Sequence, residues 1–528
     1  MSETPARPSP SSPNLLVPCA VIFLIALAIR LAYAYARPIP VSADAAYYIH
    51  VAENLYQGRG FVSDYVWNYF AGLPESLPVP SNSYWMPGTS VLTAAAFAIA
   101  RDTSLRVAQY PSLILGALLC AITAWIAGAL TYRRDAALLA GAAAAVNYYL
   151  VELSLFPDHF MLNAVLVNLS LLALWSAWRA RASSAFLAGA LAALAYLTRT
   201  DAAIIGFVAV ILALVCRRRV RKSHPVEMLV YFFIAFSVIC LPWWARQTLV
   251  FSHPAGADPL RTAFLTDYND LFRLNQSHLT FREFLQTSPV VAAGIRAYAL
   301  YRSLRLLLKA VMLFAALAIA ALWLRDLRRN AVPWLVYLPL ALALPCLLVP
   351  YPTLKGTGWH LLPALMPGIL ALGAGAAVHL HDLARSRAHV ALGWVLVAAA
   401  FISPCYWWAF PPPDAQRATQ PLYPLVAVKA VEALGPNPGP VLTDNTWGLY
   451  HVASIPCAQF PTDGAQAALT VADAIGAHYV IARADATNIG PALPAMKEIS
   501  GHRRFQPLAR HSDGTASILV YRILPPQE

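Results

Sequence analysis

Few residues of this 528-residue chain can do polar chemistry, since only 12% are charged. Those that stand out sit at the ends of long apolar runs. Asp44 heads "SADAAYYIHVAENLYQGRGF", Asp158 lies in "LFPDHF", and Arg199 and Asp201 lie in "YLTRTDA". Arg246 follows "LPWWA", and Lys355 and His360 share "LKGTGWH". A carboxylate held near apolar groups can have its pKa raised by desolvation and then serve as a general base. Guanidinium groups present a planar fork of donors that suits phosphate. Each residue also has a purely structural reading. Asp44 would sit at or near the N-cap of a helix, Asp158 would cap the helix after Pro157, and Arg199 would pair with Asp201 two residues on. Arg246, Lys355 and His360, near span ends, would snorkel or pair locally.

These residues must be positioned by membrane elements. The chain is 59% hydrophobic with a mean hydropathy of +0.55, and apolar runs of about 20 residues recur, each long enough to cross a hydrocarbon core. The expected class is an α-helical polytopic membrane protein. Eleven spans are expected, at 15–36, 105–130, 136–154, 160–178, 184–199, 202–216, 226–245, 303–324, 331–350, 361–380 and 389–410. The run 88–100, bounded by Pro87 and Arg101, is short and is read as a helix in the interface. Five short loops, "YRRDA", "WRARAS", "CRRRVRKSHP", "RDLRRN" and "DLARSR", hold 14 of the 38 Lys and Arg. That excess marks the cytoplasmic side, so they and a short tail, 1–14, face the cytoplasm.

The opposite side then receives the first outer loop, 37–104, the "FPDHF" turn, the loop 246–302 and everything after residue 411. Asp44, Asp158, Arg199, Asp201, Arg246, Lys355 and His360 all land there. In 44–56 the apolar residues Ala45, Tyr48, Ile49, Ala52, Leu55 and Tyr56 form one helical stripe. That reads as a helix lying along the outer surface, ended by "QGRG". The membrane part, 15–410, gives way at "FPPPDAQRATQPLYP" to short β-prone runs and helix-like stretches, which predict a small extracytoplasmic α/β domain over 411–528. Five of the seven cysteines fall in or beside apolar runs, so they are no disulfide framework. The basic residues are not one solvated patch, and nucleic acid is excluded as a partner.

The first outer loop, with its acid, then "AYYIHVAENLYQGRGF", then "PSNSYWMPGTSVL", resembles the first outer loop of GT-C glycosyltransferases. These include protein O-mannosyltransferases and lipid A aminoarabinose transferases. "YLTRTDA", "LPWWARQTLVF" and "GWHLLPALMP" add further similarity, in family order, over most of the membrane part. The resemblance implies a GT-C-like helical bundle in a bacterial inner membrane. It implies transfer of a sugar from a polyprenyl-phosphate carrier to a lipid, glycan or protein hydroxyl on the outer, periplasmic face. Asp44 then matches the acid that serves catalysis, with inversion at the anomeric centre expected, and Asp158 matches a second acid. Many relatives carry two adjacent acids at the first motif, whereas here Ala45 follows Asp44. Arg199, Arg246, Lys355 and His360 become candidates for the donor phosphate. Tyr47, Tyr48, Arg59, Tyr84 and Trp85 become candidates for substrate contact, with headgroup anchoring the alternative for the aromatics. No His or Cys spacing has the regularity of a zinc site, so a divalent cation is left open. Competing readings are a lipid-linked glycan polymerase or ligase with a diphosphate donor, and a flippase or transporter. The latter calls for charges buried mid-span.

Overall fold

The computed structural model describes residues 14–179, 182–219, 225–257, 259–383, 406–409, 423–484, 498–499, 501–514 and 516–525. The expected tail 1–14, the eleventh span at 389–410 and the link 411–422 lie largely outside them. Each of the first ten expected spans falls on a helix or a bent helix pair. The helices that open the chain are α1 (Leu16–Tyr35), α2 (Ala43–Tyr56), α3 (Gly88–Ala100), α4 (Leu105–Thr131) and α5 (Arg134–Val146). After them come α6 (Tyr148–Ser154), α7 (Phe160–Arg179), α8 (Ser184–Tyr196), α9 (Ile204–Arg219) and α10 (Pro225–Phe251). Later helices include Pro289–Val311, Val332–Leu348 and Gly358–Leu383. Among the described residues, five helices are long and apolar enough to cross a membrane, or eight if each of three bent pairs is one span. The protein is a multi-pass membrane protein.

Small residues let the helices approach closely, as in other membrane bundles. A Cβ on Gly189 of α8 would collide with the Phe232 carbonyl of α10, so only glycine permits that crossing. Between α5 and α6 the chain bends by 57°. Asn147 makes the bend: its Oδ1 accepts from the Leu150 amide at 3.2 Å, and its Nδ2 donates to the Ala310 carbonyl at 2.8 Å. Arg30 of α1, fully buried, braces the same break. It donates to Ser154 Oγ at 3.0 Å and to the Ala26 carbonyl at 3.1 Å. A buried charge is costly unless its donors are satisfied, and these carbonyl and hydroxyl acceptors satisfy it.

Among the described residues, parts of four of the basic loops meet at one end of the bundle. Arg133 pairs with Asp382, Arg179 donates to Asn330, and Asn330 donates to the Leu130 carbonyl. The other end carries the loop after α1, the α6–α7 turn, the α8–α9 junction and the C-terminal sheet. In that loop, β1 (Val62–Ser63) pairs antiparallel with β3 (Val79–Pro80). The C-terminal strands are β4 (Val441–Thr443), β5 (Cys457–Gln459), β6 (Tyr479–Arg483), β7 (Phe505–Ser512) and β8 (Ser517–Ile523). With β2 (Tyr65–Val66) from the first loop they form one sheet in the order β2-β5-β4-β6-β8-β7. Strand β2 runs parallel to β5, pairing Tyr65 with Cys457 and Val66 with Ala458. The expected α/β unit therefore recruits a strand from the loop nearly 400 residues earlier.

That recruitment changes the setting of α2. The stripe pattern predicts a surface helix with one wet face. Instead every residue from Ala45 to Ala52 is buried, together with Asn54. Helix α3 packs on one side, and the helix Thr446–Ala453 of the C-terminal unit covers the polar side, where Tyr450 and His50 rings lie 4.3 Å apart.

Candidate active site

The site is built on α2 and the turn before α7. Ser42, not Asp44, is the N-cap of α2: its Oγ accepts from the Ala45 amide at 3.0 Å. The same hydroxyl donates to Asp158 Oδ2 at 2.7 Å, tying the first loop to the α6–α7 turn. Asp44 sits in the first helical turn, where the positive helix end favours it. Its side chain is 21% exposed and its Oδ2 lies 3.6 Å from His360 Nδ1.

Asp158 and His159 are both fully buried, with His159 Nδ1 2.5 Å from Asp158 Oδ1. The His159 backbone amide also donates to that oxygen, at 2.7 Å. On its other nitrogen, His159 Nε2 lies 2.8 Å from Arg199 Nη1 and 2.7 Å from His360 Nδ1. A guanidinium only donates, which fixes the tautomer. Nε2 carries the lone pair that accepts from Arg199, and Nδ1 lies on the Asp158 side. The two imidazoles stack at 4.6 Å and 20°.

Arg199, at the α8–α9 junction, grips Asp201 through Nε at 3.1 Å and Nη2 at 2.8 Å. The local pairing read from sequence is therefore present, and it acts as an anchor. With Nη1 on His159, one N–H remains on each terminal nitrogen. Lys355 is exposed, with its Nζ 5.3 Å from the centre of the Tyr268 ring. Tyr268 in turn feels the charge of Asp44.

The two carboxylates are driven apart. Burial, then the nearby Asp158 charge, pushes Asp44 up to about 8, with Arg199 offsetting part of the rise. Burial also acts upward on Asp158. The charge and hydrogen bond of His159, with the Ser42 hydroxyl, outweigh it and hold Asp158 at about 2. A pair whose environments separate its pKa values in this way divides into a fixed anion and a group able to take up a proton near neutrality. The aromatics adjoin this pair. Tyr48 lies edge-on to His159 at 5.7 Å, Tyr47 lies 4.6 Å from Trp85, and Tyr84 is pushed up to about 12 by burial and then by Asp44.

The structure thus brings together Asp44, Asp158, Arg199, His360, Tyr48 and Tyr84, and leaves Lys355 exposed over the Tyr268 ring. It places Arg59 and Arg246 elsewhere. Arg59 forms a bidentate pair with Asp64 at 2.6 and 2.9 Å, in a network that includes His50 and Tyr450. Arg246 donates to the Ser81 and Phe61 carbonyls at 3.0 and 3.2 Å, clamping the first loop onto α10. His159 and Ser42 are the members that the sequence-derived set lacks. The sequence signal for His159 is its position directly after Asp158, and for Ser42 its place one step before the helical pattern.

Asp44, His159 and His360 offer ligand atoms within 4.8 Å of one another, a donor set of the kind that holds zinc. The arrangement does not fit a resident ion. The His159 Nε2 lone pair that a metal needs already accepts from Arg199, and a dication there would face a fixed guanidinium.

Known proteins share the fold that carries this cluster. The profile of the dolichyl-phosphate-mannose-protein mannosyltransferase family matches residues 85–243, the stretch holding Asp158, His159, Arg199 and Asp201. No curated protein matches the sequence. Among solved structures, the oligosaccharyltransferase AglB from Archaeoglobus fulgidus, in complex with an inhibitory peptide and a dolichol-phosphate, superposes with TM-score 0.57 at 14% identity. That match covers 96% of this chain and 74% of that one. ArnT from Cupriavidus metallidurans gives TM-score 0.55 at 12% identity, covering 97% and 98%. The mycobacterial arabinofuranosyltransferase AftD gives 0.52 at 15%, covering 97% of this chain and 42% of that one. The chain has the GT-C fold, the fold of these membrane glycosyltransferases. The matched family segment and the fold together support a glycosyltransferase.

Proposed function

We propose that this chain transfers a sugar from a polyprenyl-monophosphate carrier to an acceptor hydroxyl on the outer face of a bacterial inner membrane, with inversion. The observation that supports it best is the shared cluster: a carboxylate with a raised pKa, Asp44, beside an anchored guanidinium, Arg199, that keeps N–H donors to spare. Asp44 takes the proton of the acceptor hydroxyl as that oxygen attacks the anomeric carbon. The bond from that carbon to the phosphate oxygen breaks, and the electron pair leaves on the polyprenyl phosphate. Arg199 and Lys355 meet the phosphate charge, where preorganised donors are worth most. Asp158, held anionic by His159 and Ser42, fixes the α2 terminus and keeps Arg199 in place through His159. Metal plays no part in these steps.

The outer placement is supported by the described basic residues Arg133, Arg134, Arg179, Arg325, Arg328 and Arg329 at the opposite end of the bundle, with the cytoplasmic signature that the loop sequences carry. A transporter would bury its charges near the midplane, whereas these stand at one end of the helices. The test is to incubate membranes containing the protein with labelled polyprenyl-monophosphate hexose, pentose and aminosugar donors, and with diphosphate-linked counterparts. One monophosphate donor is expected to disappear, with release of polyprenyl monophosphate. Consumption of diphosphate donors alone would show a polymerase or ligase instead.

A further inference from the structure

The helix Pro289–Val311 takes no part in the chemistry above, and its direction sets it apart. It turns through 97° into the apolar segment Leu313–Trp323, so it lies crosswise to a segment that heads for the basic end of the bundle. Two contacts fix its level. Arg296 Nε donates to the Leu347 carbonyl at 2.9 Å, where the helix Val332–Leu348 ends. Ser303 Oγ accepts from the Cys346 thiol at 3.6 Å, and a Cβ on Gly358 would lie 3.2 Å from the same oxygen. Gly358 opens the helix that carries His360. Pro289–Val311 therefore lies at the depth of the Asp44 cluster, where the apolar spans end.

One side of this helix packs on the bundle: Ala299, Ser303, Leu307 and Ala310, three or four residues apart, are buried. Arg302, Arg305 and Lys309 keep the same spacing on a different stripe. Arg302 and Arg305 are exposed. Arg302 reaches Tyr298 Oη at 3.4 Å, and neither arginine forms an ion pair among the described residues. An open groove of about 420 Å³ runs beside them, walled by Tyr301, Leu304, Leu308, Met312 and Trp407. Trp407 Nε1 donates to the Lys309 carbonyl at 3.0 Å, and the Lys309 ammonium lies 5.8 Å from the centre of its ring.

Cations, aromatic rings and apolar walls in one strip are the composition of a helix that lies in the headgroup layer. A purely apolar strip would meet only lipid tails. Unpaired arginines at this level attract anions, and a phosphodiester with acyl chains satisfies both halves of the strip. The carrier phosphate is a poorer match. The basic stripe lies on the other side of the helix from Ser303, hence away from the segment that holds His360, and a sugar donor seated there would not meet Asp44.

We propose that the exposed face of Pro289–Val311 binds anionic phospholipid of the leaflet on the cluster side, Arg302 and Arg305 holding the phosphodiester and the groove an acyl chain. This inference stands apart from the transferase reading. The probes are phosphatidylglycerol and phosphatidylcholine carrying the same diazirine acyl chain, in nanodiscs containing the full chain, with adducts mapped by mass spectrometry. In the wild type, phosphatidylglycerol should label residues 301–312 about 25-fold over phosphatidylcholine, about fivefold for each arginine near the surface. Arg302→Gln combined with Arg305→Gln should abolish that preference while labelling at the basic end of the bundle stays unchanged, the sign of an intact fold. Lysine at both positions should restore most of it, since charge is kept. Equal labelling by the two lipids in the wild type, or a preference that survives the glutamine pair, overturns the proposal. So does displacement of the probe by a polyprenyl monophosphate at concentrations where unlabelled phosphatidylglycerol has no effect, which assigns the face to the carrier. A groove that no lipid labels and that crosslinks to a second copy of the chain overturns it as well.

Discussion

Asp44→Asn is expected to lower kcat by about 10²–10⁴-fold, the range that a positioned general base contributes, while donor Kd stays within a factor of about two. The amide keeps the shape of the side chain and removes only the proton acceptor. Folding should survive. Burial and the Asp158 charge both oppose ionisation of Asp44, so a neutral residue relieves repulsion inside the cluster. Thermal unfolding should show a Tm no lower than wild type. A folded variant that transfers sugar at near-normal rate would remove Asp44 from the mechanism. Should both rate and Tm collapse, Asp44 would instead be a structural member of the cluster.

The second large effect falls on Arg199. Removing it outright leaves Asp201, only 13% exposed, without its partner, and breaking a buried pair costs about 3–5 kcal/mol. Arg199→Lys is the cleaner change. It keeps the positive charge, but one ammonium cannot grip both Asp201 oxygens and reach His159 Nε2 as well. The donor-facing geometry is lost with the fork. A fall in kcat/KM for the donor of about 10²-fold, typical of losing one preorganised donor, is expected at nearly unchanged Tm. Isothermal binding of the polyprenyl phosphate product reports the same loss without turnover. Equal binding by Arg199→Lys and wild type would mean that any cation serves and that the fork is irrelevant.

Sequence reached the site through charge placement. Asp44, Asp158, Arg199 and His360 were separable from the cytoplasmic basic residues because each apolar run fixes the side of the next loop. Their convergence followed from that alternation alone. Geometry finer than the side of the membrane was not legible. Arg246 and Arg199 look alike as arginines near span ends, yet Arg246 is satisfied by the carbonyls of Ser81 and Phe61, which carry no side-chain signal. The burial of α2 escaped the stripe pattern because its polar face, with His50 and Asn54, meets residues from the other end of the chain. Strand β2 is two residues long, too short for an alternation pattern, and its partner β5 lies about 390 positions away. The bent pairs also hid in long apolar runs, where a break at Asn147 leaves hydropathy almost untouched.

The account stands on Asp44 giving up its proton near neutral pH to become the base. The deciding measurement is the pH dependence of kcat/KM in wild type and in Asp44→Asn. A base works only when deprotonated, so a raised pKa moves its limb from the ordinary carboxylate range up to about 8. The wild-type rate should rise about tenfold per pH unit below that value and level off above it, and Asp44→Asn should retain no such limb in its residual rate. A wild-type profile flat from about pH 6 to 9, or the same limb persisting in Asp44→Asn, would assign the proton to another group.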